Sequence, residues 1–227
     1  VTYTTVLFDL DHTLLDSDTS ETLAFTATMT ELGLDDPAQH LGTYRSLNQA
    51  LWKDVELGRL SPHDVKTLRF EQLFATLEID GDAAEVGEMY VRGLGEHGEL
   101  YSGALDMLHA VSEFAVLALI TNGIGSVQRS RIARLGLDSH FAAVAVSGEL
   151  GVAKPDQRIF DHIFRSLGDP DTQTTIIVGD SLSSDIAGGH NAGIATCWFN
   201  RFSAESGPLE PTIEVTTLAQ VAEALRA

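Results

Sequence analysis

A single cysteine, Cys197, is present among the 227 residues. An intrachain disulfide is therefore excluded, and a reducing cytoplasm is the expected setting. Cys197 lies in an apolar, strand-like stretch and reads as a small core residue rather than a nucleophile. Lysine is nearly as scarce, with Lys53, Lys66 and Lys154 alone. Against 33 Asp and Glu the chain sets 14 Lys and Arg, for a formal net charge of −19. Such a field disfavours a nucleic acid polymer or an anionic membrane as partner. It also repels any small anionic substrate, which local cations would have to draw in. No apolar run approaches the ~20 residues of a membrane span. Residues 1–5 carry no basic segment, so no secretory signal is expected. Monomer and homodimer both stay open.

Against these absences, residues Val6 to Leu14 are rich in information. They read Val6-Leu7-Phe8-Asp9-Leu10-Asp11-His12-Thr13-Leu14. An apolar strand runs into two aspartates one residue apart. Side chains at i and i+2 share a strand face, so both carboxylates start from one side if the strand persists. Two anions that close repel, and a bound divalent cation is the usual remedy. Asp-x-Asp alone also fits an Asp-rich turn; the strand before it and Thr13 after it favour chemistry.

Apolar, β-branched runs lie at Val6–Leu10, Ala115–Ile120, Ala143–Val146, Thr175–Val178 and Ile194–Phe199. Between them lie helical patterns at Ala104–Ser112, Ser126–Leu135, Gln157–Leu167 and Ser184–Asn191. Gly136, Gly168 and Gly193 stand where helix C-terminal caps are expected. Alternation of this kind implies an α/β fold, a Rossmann-like parallel sheet with helices on both faces. A short edge strand at Ile213–Val215 and a final helix close the chain.

The first crossover is far too long. About a hundred residues separate the first two strands, where a dozen or more suffice. The intervening stretch is helix-like throughout, with expected helices at Thr19–Leu32, Pro37–Leu57, Pro62–Leu77 and Asp82–Leu94. Ser61-Pro62 supplies an N-cap serine and a first-turn proline. The expected organisation is a core of residues 1–15 and 98–227, with a four-helix cap at 16–97 over the sheet's C-terminal edge.

In open α/β sheets, ligands sit beyond the carboxyl ends of the strands. Four polar groups fall there. Asp9 and Asp11 come first. Thr121-Asn122-Gly123 offers a hydroxyl and backbone N–H groups suited to phosphate oxygens, or an ordinary Asn-Gly turn. Lys154 precedes Pro155, which holds it away from helical geometry; it can point into the cleft or lie on the surface. Gly179-Asp180-Ser181 ends a strand, and Asp185 follows, able to reach a cation or Lys154, or to cap a helix.

Asp9-Leu10-Asp11-His12-Thr13, Thr121-Asn122, Lys154-Pro155 and Gly179-Asp180 with Asp185 resemble the four motifs of the haloacid-dehalogenase superfamily. The helical insertion resembles that superfamily's C1-type cap. The resemblance implies Mg²⁺-dependent phosphoryl transfer. Asp9 would be the nucleophile, forming an aspartyl-phosphate. Asp11 would protonate the leaving oxygen and then activate water. Asp9, Asp180 and the Asp11 backbone carbonyl would hold Mg²⁺. Thr121, Asn122 and Lys154 would grip the phosphoryl group, Asp185 would orient Lys154 and the metal's water, and Thr13 would fix the loop. The superfamily's dehalogenases work without metal and lack the second aspartate, so Asp11 favours a phosphatase.

Within the cap, Tyr44 to Lys53, Leu57-Gly58-Arg59 and Arg69-Phe70 resemble bacterial pyrimidine-nucleotide 5′-phosphatases, as does the stretch Asp180 to Asn200. That implies a small phosphorylated metabolite, a nucleoside 5′-monophosphate, as substrate. Asn48, Trp52 and Arg69 are the expected cap contacts. Trp52, Phe70 or Tyr44 could stack on a base, and Arg45, Lys53 or Arg69 could offset the negative field. Alternatives are a phosphatase for phosphoglycolate or a sugar phosphate, a metal-free 2-haloacid dehalogenase, or a non-catalytic binding protein.

Overall fold

The computed structural model describes residues 2–226. Six strands form one parallel sheet: β1 (Thr5–Phe8), β2 (Val116–Thr121), β3 (Ala143–Val146), β4 (Thr175–Gly179), β5 (Ala195–Phe199) and β6 (Ile213–Val215). Their spatial order is β3-β2-β1-β4-β5-β6. Phe8 is in register with Leu119 of β2 and with Val178 of β4. The strand order reverses at β1, so the ends of β1, β2 and β4 open onto one crevice.

Period-two alternation explains why both sheet faces are covered. Val6 and Phe8, with Leu117, Leu119, Ile176 and Val178, pack against α5 (Ala104–Ser112) and α10 (Leu218–Arg226). Leu7, Ala118, Ile120 and Ile177 face the other way, onto α8 (Gln157–Ser166). Each of these leucine, isoleucine, valine or phenylalanine side chains is worth about 1.5–3 kcal/mol when fully buried. Both faces carry such rows, and the expected fold class is what the chain adopts.

Between β1 and α5 lie α1 (Ser17–Glu31), α2 (Leu41–Glu56), α3 (Pro62–Leu77) and α4 (Ala83–Glu96). The chain leaves and returns alongside itself: the Tyr101 N–H donates to the Leu14 carbonyl (2.8 Å), and the Asp16 N–H to that of Glu99 (2.9 Å). The helices have an apolar centre of their own, in which the rings of Phe25, Tyr44, Phe70 and Tyr90 lie 4.7–5.9 Å apart. Val127, on α6 (Gly125–Arg134), joins that centre and ties it to the sheet. Helix α3 begins with a capping box between Ser61 and Asp64, which satisfies two orphan N–H groups reciprocally.

Three boundaries differ from expectation. β1 stops at Phe8, because the Leu10 carbonyl turns to accept from the N–H groups of both Leu14 and Leu15. His12 then takes a positive φ of 63°. The condition for Asp9 and Asp11 to share a strand face therefore fails. The helix expected over Pro37–Leu57 is divided, with a 3-10 turn at Pro37–His40 before α2. The segment expected as one helix over Ser184–Asn191 is a π-helical turn, Leu182–Ile186, followed by α9 (Ala187–Ala192). No described helix is long and apolar enough to cross a membrane.

Candidate active site

A cavity of about 460 Å³ lies between the strand ends and helices α1 to α4. Asp9, Asp11, Asn122, Asp180 and Asp185 line its sheet side. Asn48, Trp52 and Arg69 line its helical side. Thr121 and Lys154 are fully buried on the sheet side and do not line the cavity.

Lys154 follows α7 (Ser147–Leu150), a short helix that continues from β3. Its ammonium donates to Asp9 Oδ1 (2.6 Å), Asp185 Oδ1 (2.6 Å) and the Ile120 carbonyl (2.8 Å). All three ammonium hydrogens are thus used, and the surface position that the sequence left open is ruled out. Asn122 locks the arrangement from the side: its amide donates to the Lys154 carbonyl (2.9 Å) and accepts from the Lys154 N–H (2.8 Å). Asp185 also helps to cap the turn Leu182–Ile186, whose N-cap side chain is Ser181; it serves both roles. Its second oxygen accepts from the Ser181 N–H (3.0 Å). Gly179 is required behind it, since a Cβ there would overlap the Asp185 carboxyl.

One ammonium is set against three carboxylates. Burial lifts the Asp9 carboxyl to about 7; Lys154 opposes the shift, and Asp185 and Asp11 add to it. Asp180 is pushed well above the usual carboxylate range by burial and then by repulsion from Asp9 and Asp185. Lys154 is held charged: burial works against the ammonium, but Asp185 and Asp9 outweigh it. Carboxylate oxygens of Asp9, Asp180 and Asp185 lie within 4.8 Å of one another. An all-oxygen, multiply anionic set of this kind suits a hard divalent cation, whose charge would reverse the repulsion. The Asp11 side chain is not part of that cluster.

Asp11 is engaged elsewhere. Its carboxylate accepts from Arg131 Nη1 (2.7 Å), Gln128 Nε2 (2.6 Å) and Ser17 Oγ (2.5 Å). Burial alone would raise it, but Arg131 and these hydrogen bonds hold it below the usual range. Gln128 also donates to Thr121 Oγ1 (2.7 Å), which leaves the threonine hydroxyl hydrogen for another acceptor. Arg131 reaches the inserted helices too, through the Leu94 carbonyl (3.0 Å) and Ser20 Oγ (2.8 Å). Arg131 and Gln128 were missed at the level of sequence. Their spacing of three on α6 was the available signal. Thr13 is buried, and its hydroxyl has no hydrogen-bond partner among the described residues. Leu10, Leu14 and Leu15 hold that loop by packing into the core.

On the helical side, Arg69 is only 2% exposed. Its Nε donates to the Val65 carbonyl (2.9 Å) and its Nη1 to the Tyr44 hydroxyl (3.1 Å). Tyr44 and Phe70 belong to the aromatic centre and do not line the cavity; of the three rings considered for stacking, only Trp52 faces it. Lys53 is exposed and away from the cavity. Arg45 lines it, paired with Glu21 at 2.8 Å.

Comparison with known proteins gives a consistent result. A family model described as haloacid dehalogenase-like hydrolase matches residues 3–193. The pyrimidine 5′-nucleotidase PynA of Streptococcus pneumoniae is 36% identical over 225 residues, covering 98% of this chain and 95% of that protein. The pyrimidine 5′-nucleotidase YjjG of Escherichia coli is 32% identical over 221 residues, covering 97% and 96%. Among solved structures, the magnesium-bound crystal form of the HAD-hydrolase YfnB from Bacillus subtilis superposes with a TM-score of 0.92, at 31% identity and full coverage of both chains. With the sheet order, the strand-end carboxylates and the buried lysine already in view, these matches show that the chain belongs to the haloacid dehalogenase-like hydrolase family.

Proposed function

We propose that the protein is a Mg²⁺-dependent phosphatase that hydrolyses nucleoside 5′-monophosphates through an aspartyl-phosphate on Asp9. The observation that carries this is the placing of Asp9. One oxygen is tethered to Lys154 and the residue lines the cavity, with Asp180 and Asp11 on the same wall. A tethered carboxylate aimed at a bound phosphorus is a poised nucleophile. The nucleotidase names of the two relatives PynA and YjjG support the substrate class.

In the first step an Asp9 oxygen bonds to phosphorus while the bond from phosphorus to the ester oxygen breaks. In the present arrangement Asp11 is held as the anion; to act as the acid it would leave Arg131, take up a proton from solvent and pass it to that leaving oxygen. In the second step Asp11 takes a proton from water, the water oxygen bonds to phosphorus, and the Asp9–phosphorus bond breaks to release phosphate. Thr121, the Asn122 backbone and Lys154 hold the non-bridging oxygens. Because Lys154 is saturated, it exchanges one of its present bonds for a phosphoryl oxygen. Asp185 keeps it aimed. Asp9, Asp180 and the Asp11 carbonyl would hold Mg²⁺, which when bound screens the approach of anion to anion.

We further propose that residues 16–97 act as a cap over the site. Arg131 spans both sides and holds Asp11 while touching Leu94 and Ser20. Closure would exclude bulk water from the reacting groups. The crystal structure of YfnB is described as revealing interdomain movement, which supports the idea.

A phosphate-release panel with Mg²⁺ tests the proposal, setting nucleoside monophosphates beside phosphoglycolate and sugar phosphates. Highest kcat/KM on a nucleotide is expected. A clear preference for phosphoglycolate or a sugar phosphate would remove the nucleotide assignment, and no turnover of any phosphoester would remove the phosphatase.

A further inference from the structure

We propose that the helical wall of the cavity reads a lactam edge, an N–H beside a C=O, of the kind a uracil-type base carries. This rests on the nucleotide reading above and specifies which group the wall recognises.

Two buried polar atoms in that wall have no partner: Asn48 Oδ1 and Arg69 Nη2. Both residues line the same cavity as Asp9 and Asp180. Buried polar groups are almost always hydrogen-bonded, and an orphan needs a reason. Two orphans of opposite sense, on two residues that line one cavity, point to a ligand that supplies one donor and one acceptor.

The sense of the Asn48 amide follows from chemistry. Its Nδ2 donates to Glu21 Oε2 at 3.0 Å. A carboxylate only accepts, so Glu21 holds the NH₂ group and turns Oδ1 away as a pure acceptor. The other Glu21 oxygen pairs with Arg45 Nε at 2.8 Å, which pins the carboxylate. Arg69 has spent Nε and Nη1 on Val65 and Tyr44. No carboxylate lies within ion-pair distance of it among the described residues. Its Nη2 is a pure donor.

A lactam satisfies both atoms at once, its N–H to Asn48 Oδ1 and its C=O to Arg69 Nη2. A carboxylate ligand would meet Arg69 but set an anion against Asn48 Oδ1 and Glu21. Trp52 in the same wall offers an aromatic surface, which favours a planar ring over an aliphatic polyol.

The test compares uridine 5′-monophosphate with its N3-methyl analogue, which keeps both carbonyls and lacks the donor. Loss of one hydrogen bond that leaves a buried acceptor unpaired is expected to raise KM by about tenfold or more, with kcat within about threefold. Asn48→Leu should bring the two nucleotides within about twofold of each other. Glu21→Gln provides a second route, since its amide can donate to Asn48 Oδ1; it should raise KM for the uridine nucleotide. Circular dichroism and thermal melting check that each variant folds. Equal KM for the two nucleotides in the unaltered enzyme would overturn the lactam readout alone. Failure to hydrolyse either, with turnover of other phosphomonoesters, would overturn the readout together with the nucleotide assignment.

Discussion

Replacing the carboxylate at position 9 should make the metal-free protein more stable. In the fold, burial and the neighbouring carboxylates hold Asp9 at about 7 against an ordinary 3.8, with Lys154 pulling the other way. A carboxyl raised from 3.8 to about 7 costs the charged form at most roughly 4 kcal/mol. Asn at position 9 keeps the shape and an acceptor for Lys154 but carries no charge. Asp9→Asn is therefore expected to stabilise the fold by about 1–4 kcal/mol above neutral pH in EDTA. That corresponds to roughly 2–4 °C in Tm per kcal/mol for a chain of this size. The sign follows from linkage. The folded pKa lies above the unfolded one, so the wild type is at no disadvantage below pH 4. Its disadvantage grows as pH rises toward 7 and is complete above that. Urea unfolding of both proteins from pH 4 to 9 in EDTA measures this, and turnover should be lost in the variant throughout. Adding Mg²⁺ should stabilise the wild type more than the variant, shrinking the gap. A wild type that is the more stable protein at pH 8 in EDTA would refute the reasoning.

Arg131→Met should destabilise the fold by about 2–4 kcal/mol at pH 7, because Asp11 is left buried without its cation. Since Asp11 is held below the usual range, this loss should fade as pH falls through that range; urea midpoints at pH 7 and pH 3 would show it. Asp185→Asn should lower kcat by about 10²-fold with little change in KM, measured by steady-state phosphate release, because Lys154 loses one of its two carboxylate partners. Gly179→Ala should destabilise by about 1–3 kcal/mol through overlap with the Asp185 carboxyl, read from thermal melts; an unchanged Tm would show that the loop yields freely.

The sheet was legible because its physics is local. Val6, Leu7 and Phe8 must divide between two buried faces, and only an apolar run can do so. The site groups were legible because each polar residue directly follows such a run: Asp9 after β1, Thr121 at the end of β2, Asp180 after β4. Their partners were harder to find. Ser126 to Arg134 carries three arginines, and nothing local separates buried Arg131 from half-exposed Arg129, which pairs with Glu149 on the surface. Burial of Arg131 depends on α6 meeting α4, a contact between residues far apart in the chain. The same holds for Arg69, which is buried because Tyr44 and Tyr90 from two other helices close over it. The end of β1 was misjudged for a different reason: Leu10 is apolar, but its carbonyl serves the turn rather than the sheet. Helix α2 begins late because Pro37–His40, entered from a left-handed Asp36, winds as a 3-10 turn, a choice that composition does not dictate.

The central claim is that Asp9 itself takes the phosphoryl group. Acid-quenching the enzyme during turnover of a nucleoside monophosphate with Mg²⁺, reducing with borohydride and mapping peptides by mass tests it directly. An acyl phosphate reduces to the alcohol, so the side chain at position 9, and no other, should be converted. Phosphate release at full rate with Asp9 unmodified, or with the label on a different carboxylate, would contradict the account.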